Sequence, residues 1–187
     1  MSAIRNFFRS FRDEEGGSIA VETFLVLPIL FWAYLSMFSI FDAYRQHSIN
    51  QKAAYTIGDV ISRETNALDL NYITGIREML AYLTANETGE VAIRVTSVTY
   101  DEDNDEYVKY WSAKRGWMPA LSNEAIQALR DDLPVMPDNE TVVVVETFVM
   151  YDPPFNTGLV NREIHNFVFT RPRYAPQVLW DDSASTY

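Results

Sequence analysis

One carboxylate stands at the edge of the most apolar part of the chain. Glu22 directly precedes Thr23–Phe41, a run of 19 residues without a charge, and it is the fifth residue after Gly17. An acidic group in a membrane helix costs about 2.5–3.5 kcal/mol at the bilayer centre and less near the edge. The pair Gly16-Gly17 leaves the preceding backbone flexible enough to enter a protease cleft. The segment before the apolar run is therefore open to a protease, and Glu22 is the residue that needs an explanation. The simpler interpretation of Glu22 is a residue that lies at head-group depth.

A second group of residues that could perform chemistry is the acidic run at residues 101–106. Its aspartates at alternate positions match the first three ligand positions of a calcium loop: Asp101, Asp103 and Asp105. However, Glu106 stands where the sharp turn needs glycine, and Ser112 stands where the bidentate glutamate should be. We therefore interpret the run as a solvated turn, keep the three aspartates only as weak metal candidates, and expect no cofactor.

The other residue types that perform chemistry form no catalytic constellation in the sequence. His47 and His165 lie far apart, and neither belongs to a pair with metal-ligand spacing, so both are expected to be surface or half-buried structural residues. The chain has no cysteine, which excludes disulfides, thiolate zinc sites and cysteine nucleophiles. It also has no glycine-rich phosphate loop and neither an HExxH nor a GxSxG motif. We therefore expect a protein without enzymatic activity, and a membrane-anchored enzyme is the third and least supported alternative.

The composition is that of a folded, acidic protein. The 187 residues include 48% hydrophobic and 14% aromatic residues, which is enough apolar surface for the core of one ordinary domain. The 26 acidic residues outnumber the 15 basic ones, and the net charge is -11. A nucleic-acid-binding protein needs a basic face for the phosphates, so the charge argues against that class.

The apolar run predicts a helix that crosses a membrane. The 19 residues of this run would extend about 28 Å as an α-helix, close to the roughly 30 Å hydrocarbon core of a bilayer. A buried core helix would show one polar face, and the run offers only Ser36 and Ser39. A cleaved secretory signal has a shorter apolar region that ends in small residues, whereas this run ends at Phe41-Asp42. We therefore predict a single membrane helix that is retained.

The flanking charges predict how this helix is oriented. Three basic residues precede the run and two follow it within the next turns: Arg5, Arg9 and Arg12, then Arg45 and Lys52. Positive charge favours the cytoplasmic side, so the amino terminus is predicted to lie in the cytoplasm. Residues 42–187 would then form an extracytoplasmic domain, in the periplasm if the source is a Gram-negative bacterium.

The rest of the chain predicts an α+β domain. Apolar residues recur at helical spacing from Ile49 to Ile61 and in a second helix from Asp69 to Ala85, and both stripes are expected to pack in a core. Four segments have the pattern of strands: Val91–Tyr100, Tyr107–Ser112, Thr141–Tyr151 and Glu163–Arg171. The first two would form a hairpin around the acidic run, and the third would be central in the sheet. Ser122 predicts the cap of a short helix that ends at Arg130.

The predicted architecture is a long amino-terminal helix that continues past the membrane and packs, with a second helix, against a small antiparallel sheet of about four strands. Pro28 removes one backbone hydrogen bond inside the membrane segment, so a kink or local unwinding is expected there.

The amino-terminal pattern resembles a type IV prepilin processing site, in which a charged leader and a glycine precede an apolar helix with glutamate as its fifth residue. The closer resemblance is to the TadE/TadF-like proteins, which are minor pseudopilins of the tight-adherence (Tad/Flp) pilus system. Residues 17–24, GSIAVETF, and the following LVLP match the opening of those proteins, and FTRPRY at 169–174 looks like their ending. Major Flp pilins are far shorter than this chain, and TadG-type proteins are usually much longer.

The resemblance implies a leader at residues 1–17 that a prepilin peptidase removes by cleavage between Gly17 and Ser18, followed by a membrane helix at 18–41. The new Ser18 ammonium could pair with Glu22 of a neighbouring subunit in a filament. The implied partners are the peptidase, other Tad/Flp pilins, the inner-membrane assembly platform and membrane lipid, and the implied role is pilus assembly and hence surface adhesion. The alternative function is an unprocessed, signal-anchored periplasmic binding or sensor module, which would keep its leader.

Overall fold

The computed structural model of the chain describes residues 16–182, with side chains from Ala20 onward. The helices and strands, in chain order, are α1 (Gly16–Ser62), α2 (Leu70–Thr84), β1 (Val91–Asp101), β2 (Glu106–Arg115), α3 (Asn123–Ala128), β3 (Thr141–Tyr151) and β4 (Arg162–Thr170). The predicted α+β class, with a long amino-terminal helix and a four-stranded antiparallel sheet, is confirmed. Of the predicted leader, residues 1–15 lie outside the described residues.

Helix α1 is 47 residues long and continues well beyond the apolar run. It is α-helical on both sides of Pro28, and the helical assignment is not interrupted there. The kink expected from the missing backbone hydrogen bond stays a prediction.

The chain divides into two compact units. Of the described residues, the first unit contains residues 16–43 together with the loop Pro153–Val160, and the second contains Tyr44–Asp152 together with residues 161–182. The amino-terminal part of α1 therefore belongs to the first unit, and its carboxyl-terminal part belongs to the second. The loop between β3 and β4 belongs to the first unit although both strands belong to the second.

The sheet lies in the second unit and has the strand order β2-β1-β3-β4, with every neighbouring pair antiparallel. The predicted hairpin is β1–β2, and the predicted central strand is β3, which pairs with β1 and β4. Strand β2 runs three residues past its predicted end at Ser112, because its residues up to Arg115 stay paired with β1 as far as Ile93.

The larger of two cores in the second unit lies on one face of the sheet, where alternate strand residues meet one stripe from each long helix. Its fully buried members include Ile57 and Ile61 of α1, Ile73 and Leu80 of α2, and Ile93, Val95 and Val145 of the sheet. Truncating one of these isoleucines to alanine would cost about 2–5 kcal/mol. The predicted apolar stripes are thus core packing.

A smaller core covers the opposite face of the sheet. It combines strand residues with α3 and the segment that follows it: Val98, Tyr107, Leu121, Ile126, Leu133, Met136, Val142 and Val144. Because both faces are covered, β3 is buried along nearly its whole length, as its continuous run of valines predicts.

Local capping determines where the shorter helices begin and end. The Asp69 side chain accepts a hydrogen bond from the Tyr72 N–H at 2.6 Å, and Ala85 ends α2 in the left-handed conformation with φ of 55°. Ser122 caps α3 through the Ala125 N–H, as predicted. Helix α3 ends at Ala128, two residues before the predicted end, because Leu129 has left helical geometry.

Candidate functional site

The candidate processing site lies at the first turn of α1. Gly16 is the first helical residue, so Gly17 and Ser18 are helical, and Glu22 is one turn further along with an exposed side chain. Proteases bind their substrates in extended form, so cleavage after Gly17 requires this turn to unwind. Two successive glycines make unwinding inexpensive, because each disfavours a helix by about 0.8–1.0 kcal/mol relative to alanine.

The helix that follows Glu22 presents apolar side chains to its surroundings. Phe24, Phe31 and Phe41 are each at least 60% exposed. Only 6% of the most apolar 18-residue window of α1 is buried, which excludes a core helix of this chain. Exposed apolar surface on this scale marks a membrane or protein contact. Within residues 16–182, one helix, near the amino terminus, is thus long and apolar enough to span a membrane.

The continuation of α1 bears on the alternative of a cleaved signal. Ala53, Ile57 and Ile61 of this helix belong to the main core of the second unit. A secretory signal is cleaved at small residues just after its apolar region, whereas here the helix runs on without interruption from the apolar run, through Phe41-Asp42, to Ser62. This continuity favours a retained anchor.

The acidic run forms the turn of the β1–β2 hairpin. The two carboxylate oxygens of Asp101 accept hydrogen bonds from the backbone N–H of Asn104 at 3.2 Å and from its side-chain amide at 2.8 Å. The side-chain amide and then the backbone N–H of Asn104 lower the pKa of Asp101. Asp103 is exposed.

Asp105 accepts hydrogen bonds on the other side of the same turn. It has a left-handed backbone with φ of 52°, and its carboxylate accepts hydrogen bonds from the Tyr100 hydroxyl at 2.7 Å and from the Arg130 guanidinium. These two hydrogen bonds lower the pKa of Asp105, with Tyr100 as the larger cause. Two of the three weak metal candidates therefore stabilise the turn, and among residues 16–182 no group of three or more histidines or carboxylates is arranged to hold a metal ion.

A buried polar cluster that the sequence analysis did not identify spans three strands. Arg94 of β1 donates from Nε and Nη2 to the two carboxylate oxygens of Glu146 in β3, at 2.6 and 2.7 Å. Its Nη1 donates to the Pro119 carbonyl oxygen at 2.9 Å. His165 of β4 places Nε2 3.3 Å from Glu146 Oε1, and its ring stacks on Phe148 at a centroid distance of 4.5 Å. The sequence does contain a signal for Arg94 and Glu146, because each is a charged residue within an otherwise apolar stretch of a strand.

The electrostatics of this cluster favour a structural role. Burial alone would raise the pKa of Glu146, but the hydrogen bonds from His165 and Arg94 and the Arg94 charge outweigh it and hold the pKa below its ordinary value. A carboxylate that is kept ionised by a bidentate guanidinium is a poor general base. The ion pair therefore links directly opposite residues of β1 and β3 instead of providing acid–base chemistry.

The carboxyl-terminal motif at residues 169–174 contacts the end of α1. The backbone N–H of Arg173 donates to the carbonyl oxygen of Ser62, the last residue of α1, at 2.7 Å. The Arg173 guanidinium lies 3.0 Å from Asp59, which also pairs with Arg63 at 2.9 Å. These side chains are about half exposed, so each ion pair contributes less than about 1 kcal/mol. The motif thus supplies a hydrogen bond to the Ser62 carbonyl oxygen, one of the last four carbonyl groups of α1, which have no partner within the helix ladder.

Comparison of the chain with protein-family models, with curated proteins and with solved structures gave no match.

Proposed function

We propose that this chain is a membrane-anchored minor pseudopilin of the TadE/TadF-like kind, which a prepilin peptidase processes and which takes part in assembly of a Tad/Flp-type pilus. It performs no reaction of its own. The observation that carries the proposal is Glu22: a carboxylate five residues after Gly17, exposed at the start of an apolar helix that continues into a folded domain.

The proposed chemistry follows from removing the leader. Cleavage between Gly17 and Ser18 creates a free ammonium group one helical turn before Glu22. In a monomer, Glu22 at the edge of the apolar run can reach water, so its charge costs little. In a bundle of such helices that water is displaced, and the Ser18 ammonium of a neighbouring subunit would neutralise the carboxylate. The pair would therefore act in assembly.

In the proposed orientation the amino terminus is in the cytoplasm and the second unit is in the periplasm, with the chain in the inner membrane before assembly. The partners are then the peptidase, other Tad/Flp pilins and the assembly platform. The excess of arginine before the apolar run supports this orientation.

The decisive experiment is the intact mass of the membrane-extracted chain after co-expression with an active prepilin peptidase. Loss of residues 1–17 is expected, with Ser18 as the new amino terminus. Gly17→Leu should block cleavage because a bulky side chain cannot enter the cleft, whereas the matched change Gly16→Leu tests whether any bulk in this turn is enough. An unchanged full-length mass would overturn the proposal and favour the unprocessed binding or sensor module.

A further inference from the structure

The loop between β3 and β4 is unusual in its chemistry and in its surroundings. Residues 153–160, PPFNTGLV, include no charge, although Asp152 and Arg162-Glu163 stand close on either side. The loop belongs to the same compact unit as the apolar part of α1. An uncharged connection on an acidic domain suggests surroundings other than bulk water.

One aromatic contact fixes where the loop meets α1. The rings of Phe155 and Phe38 are packed edge to face with centroids 5.8 Å apart. Phe38 lies inside the apolar run, three residues before its end at Phe41. Three residues of helix correspond to about 4.5 Å along the axis, so Phe155 reaches past the end of the run towards its interior. The apolar faces of interfacial segments are buried to a comparable depth, roughly 5–10 Å into the head-group and acyl boundary.

The contact with α1 leaves apolar side chains of the loop uncovered. Phe155 is 40% exposed and Val160 is 76% exposed. The loop is folded back on itself, because the Thr157 N–H donates to the Phe155 carbonyl oxygen at 2.9 Å and Gly158 has a φ of 99° that other residues rarely adopt. Phe155 is therefore held beside the apolar part of α1, and Val160 belongs to the same compact unit.

We propose that the loop Pro153–Val160 inserts into the head-group and acyl boundary of the bilayer and forms a second lipid contact next to α1. The inference rests on α1 spanning the membrane, and it names lipid as the occupant because the loop surface is continuous with the apolar surface of α1. The loop has no basic residue, so anionic lipid is not required. A second contact restrains the tilt and rotation of α1 in the membrane, which a lone helix would leave free.

The absence of cysteine makes the test direct, because one introduced cysteine carries one environment-sensitive fluorophore. Val160→Cys, Val135→Cys and Phe31→Cys are each made in the full chain, labelled, and reconstituted in nanodiscs of zwitterionic lipid. Val135 is the matched control because it is an equally simple side chain, 94% exposed, in the second unit. Phe31 reports whether α1 itself is in the bilayer.

The expected result is a blue-shifted emission at position 160, quenched by lipids that carry a spin label near the head group and protected from an aqueous quencher. The label at position 135 should behave in the opposite way, and the label at position 31 should be quenched by deep spin labels. If position 160 resembles position 135 while position 31 is quenched, the loop inference is wrong and the anchor stands. If position 160 is protected from water without quenching by lipid, a second copy covers it and the inference is also wrong. If position 31 is not quenched, both the anchor and the loop contact are wrong.

Discussion

At the residue scale, the charged side chains in apolar surroundings are the most informative about structure and function. Glu22 and the Arg94–Glu146 pair differ in what surrounds them. Arg94 and Glu146 are both buried and pair with each other, whereas Glu22 is exposed on an apolar helix. In the first arrangement the two charges compensate each other within the fold. In the second, the proposed assembly role would supply the compensating charge from a neighbouring subunit.

Glu22→Ala should leave processing intact but impair incorporation into pilus assemblies. The Ser18 ammonium would then be buried without its partner, at a cost of about 3–5 kcal/mol. Co-purification with the other pilus components measures the effect, and Glu22→Asp is the matched control that keeps the charge. Normal yield of the Glu22→Ala chain in these complexes would contradict the assembly role.

Arg94→Met should destabilise the second unit by about 3–5 kcal/mol, because Glu146 would keep a buried charge without a guanidinium. Adding Glu146→Leu in the same chain should recover most of the loss, since an apolar pair of similar volume is often as stable as a buried ion pair. Urea unfolding of the detergent-solubilised chain measures both. A double variant no more stable than Arg94→Met would show that the pair contributes more than charge compensation.

Glu146 should also make stability depend on pH. Its pKa is lower in the folded chain than the ordinary value of 4.5. The stabilisation is therefore complete at pH values above the unfolded pKa and is lost as the pH falls through the folded pKa. In acid, the unfolding free energy of the wild-type chain should fall more steeply than that of Glu146→Gln, as measured by urea titrations at several pH values. Parallel pH profiles would assign the acid sensitivity to other carboxylates.

At the element scale, the hairpin turn and the β3–β4 loop show how connections are adapted to different surroundings. The turn at residues 102–105 is highly charged and is held by side chains of Asp101 and Asp105, as a water-exposed sheet edge requires. The loop Pro153–Val160 has no charge and packs on an apolar helix. The charged sequence of the hairpin turn is therefore suited to water, and the uncharged sequence of the β3–β4 loop is suited to apolar surroundings.

Calcium should not bind tightly to the hairpin turn. Asp101 and Asp105 already accept hydrogen bonds within the turn, and a tight site needs a loop that wraps the ion with a distant bidentate carboxylate. Isothermal titration of the solubilised chain should show only weak, salt-sensitive heats, and Asp103→Ala should not change them. A one-to-one complex with micromolar affinity that Asp103→Ala abolishes would reverse this conclusion.

At the scale of the whole molecule, the apolar run of α1 contributes to no hydrophobic core, whereas the second unit contains two hydrophobic cores. All members of both core clusters lie between Ala53 and Val178. The apolar run therefore contributes no member to either core.

Residues 44–182 alone should fold cooperatively, because removing the apolar run deletes no member of either core. Circular dichroism of this fragment should show a single thermal transition. The fragment leaves the loop Pro153–Val160 without Phe38, so it should bind detergent micelles, and Phe155→Ser with Val160→Ser should reduce that binding. A featureless melt would mean that the anchor is needed for folding.

The sequence by itself determined the elements and several of their ends, because the interactions that form them are largely local. The end of β2 is an exception, because pairing with β1 extends this strand from Ser112 to Arg115. The apolar run, the helical stripe from Asp69 to Ala85, the Ser122 cap and the valines of β3 each predicted a feature that the structure contains. The processing pattern at Gly17 and Glu22 is equally local, although its use in the cell stays a prediction.

Only the tertiary structure decided which distant residues meet. Arg94 and Glu146 are 52 residues apart, and their pairing depends on the order and register of the strands, which hydrophobic alternation does not specify. The same holds for Phe155 and Phe38, which a strand-to-strand loop brings together. Local patterns fix whether a residue is helical or extended and which face it lies on. Which distant residue lies opposite is fixed by the packing of the whole chain. The sequence patterns therefore did not predict the pairs Arg94–Glu146 and Phe155–Phe38.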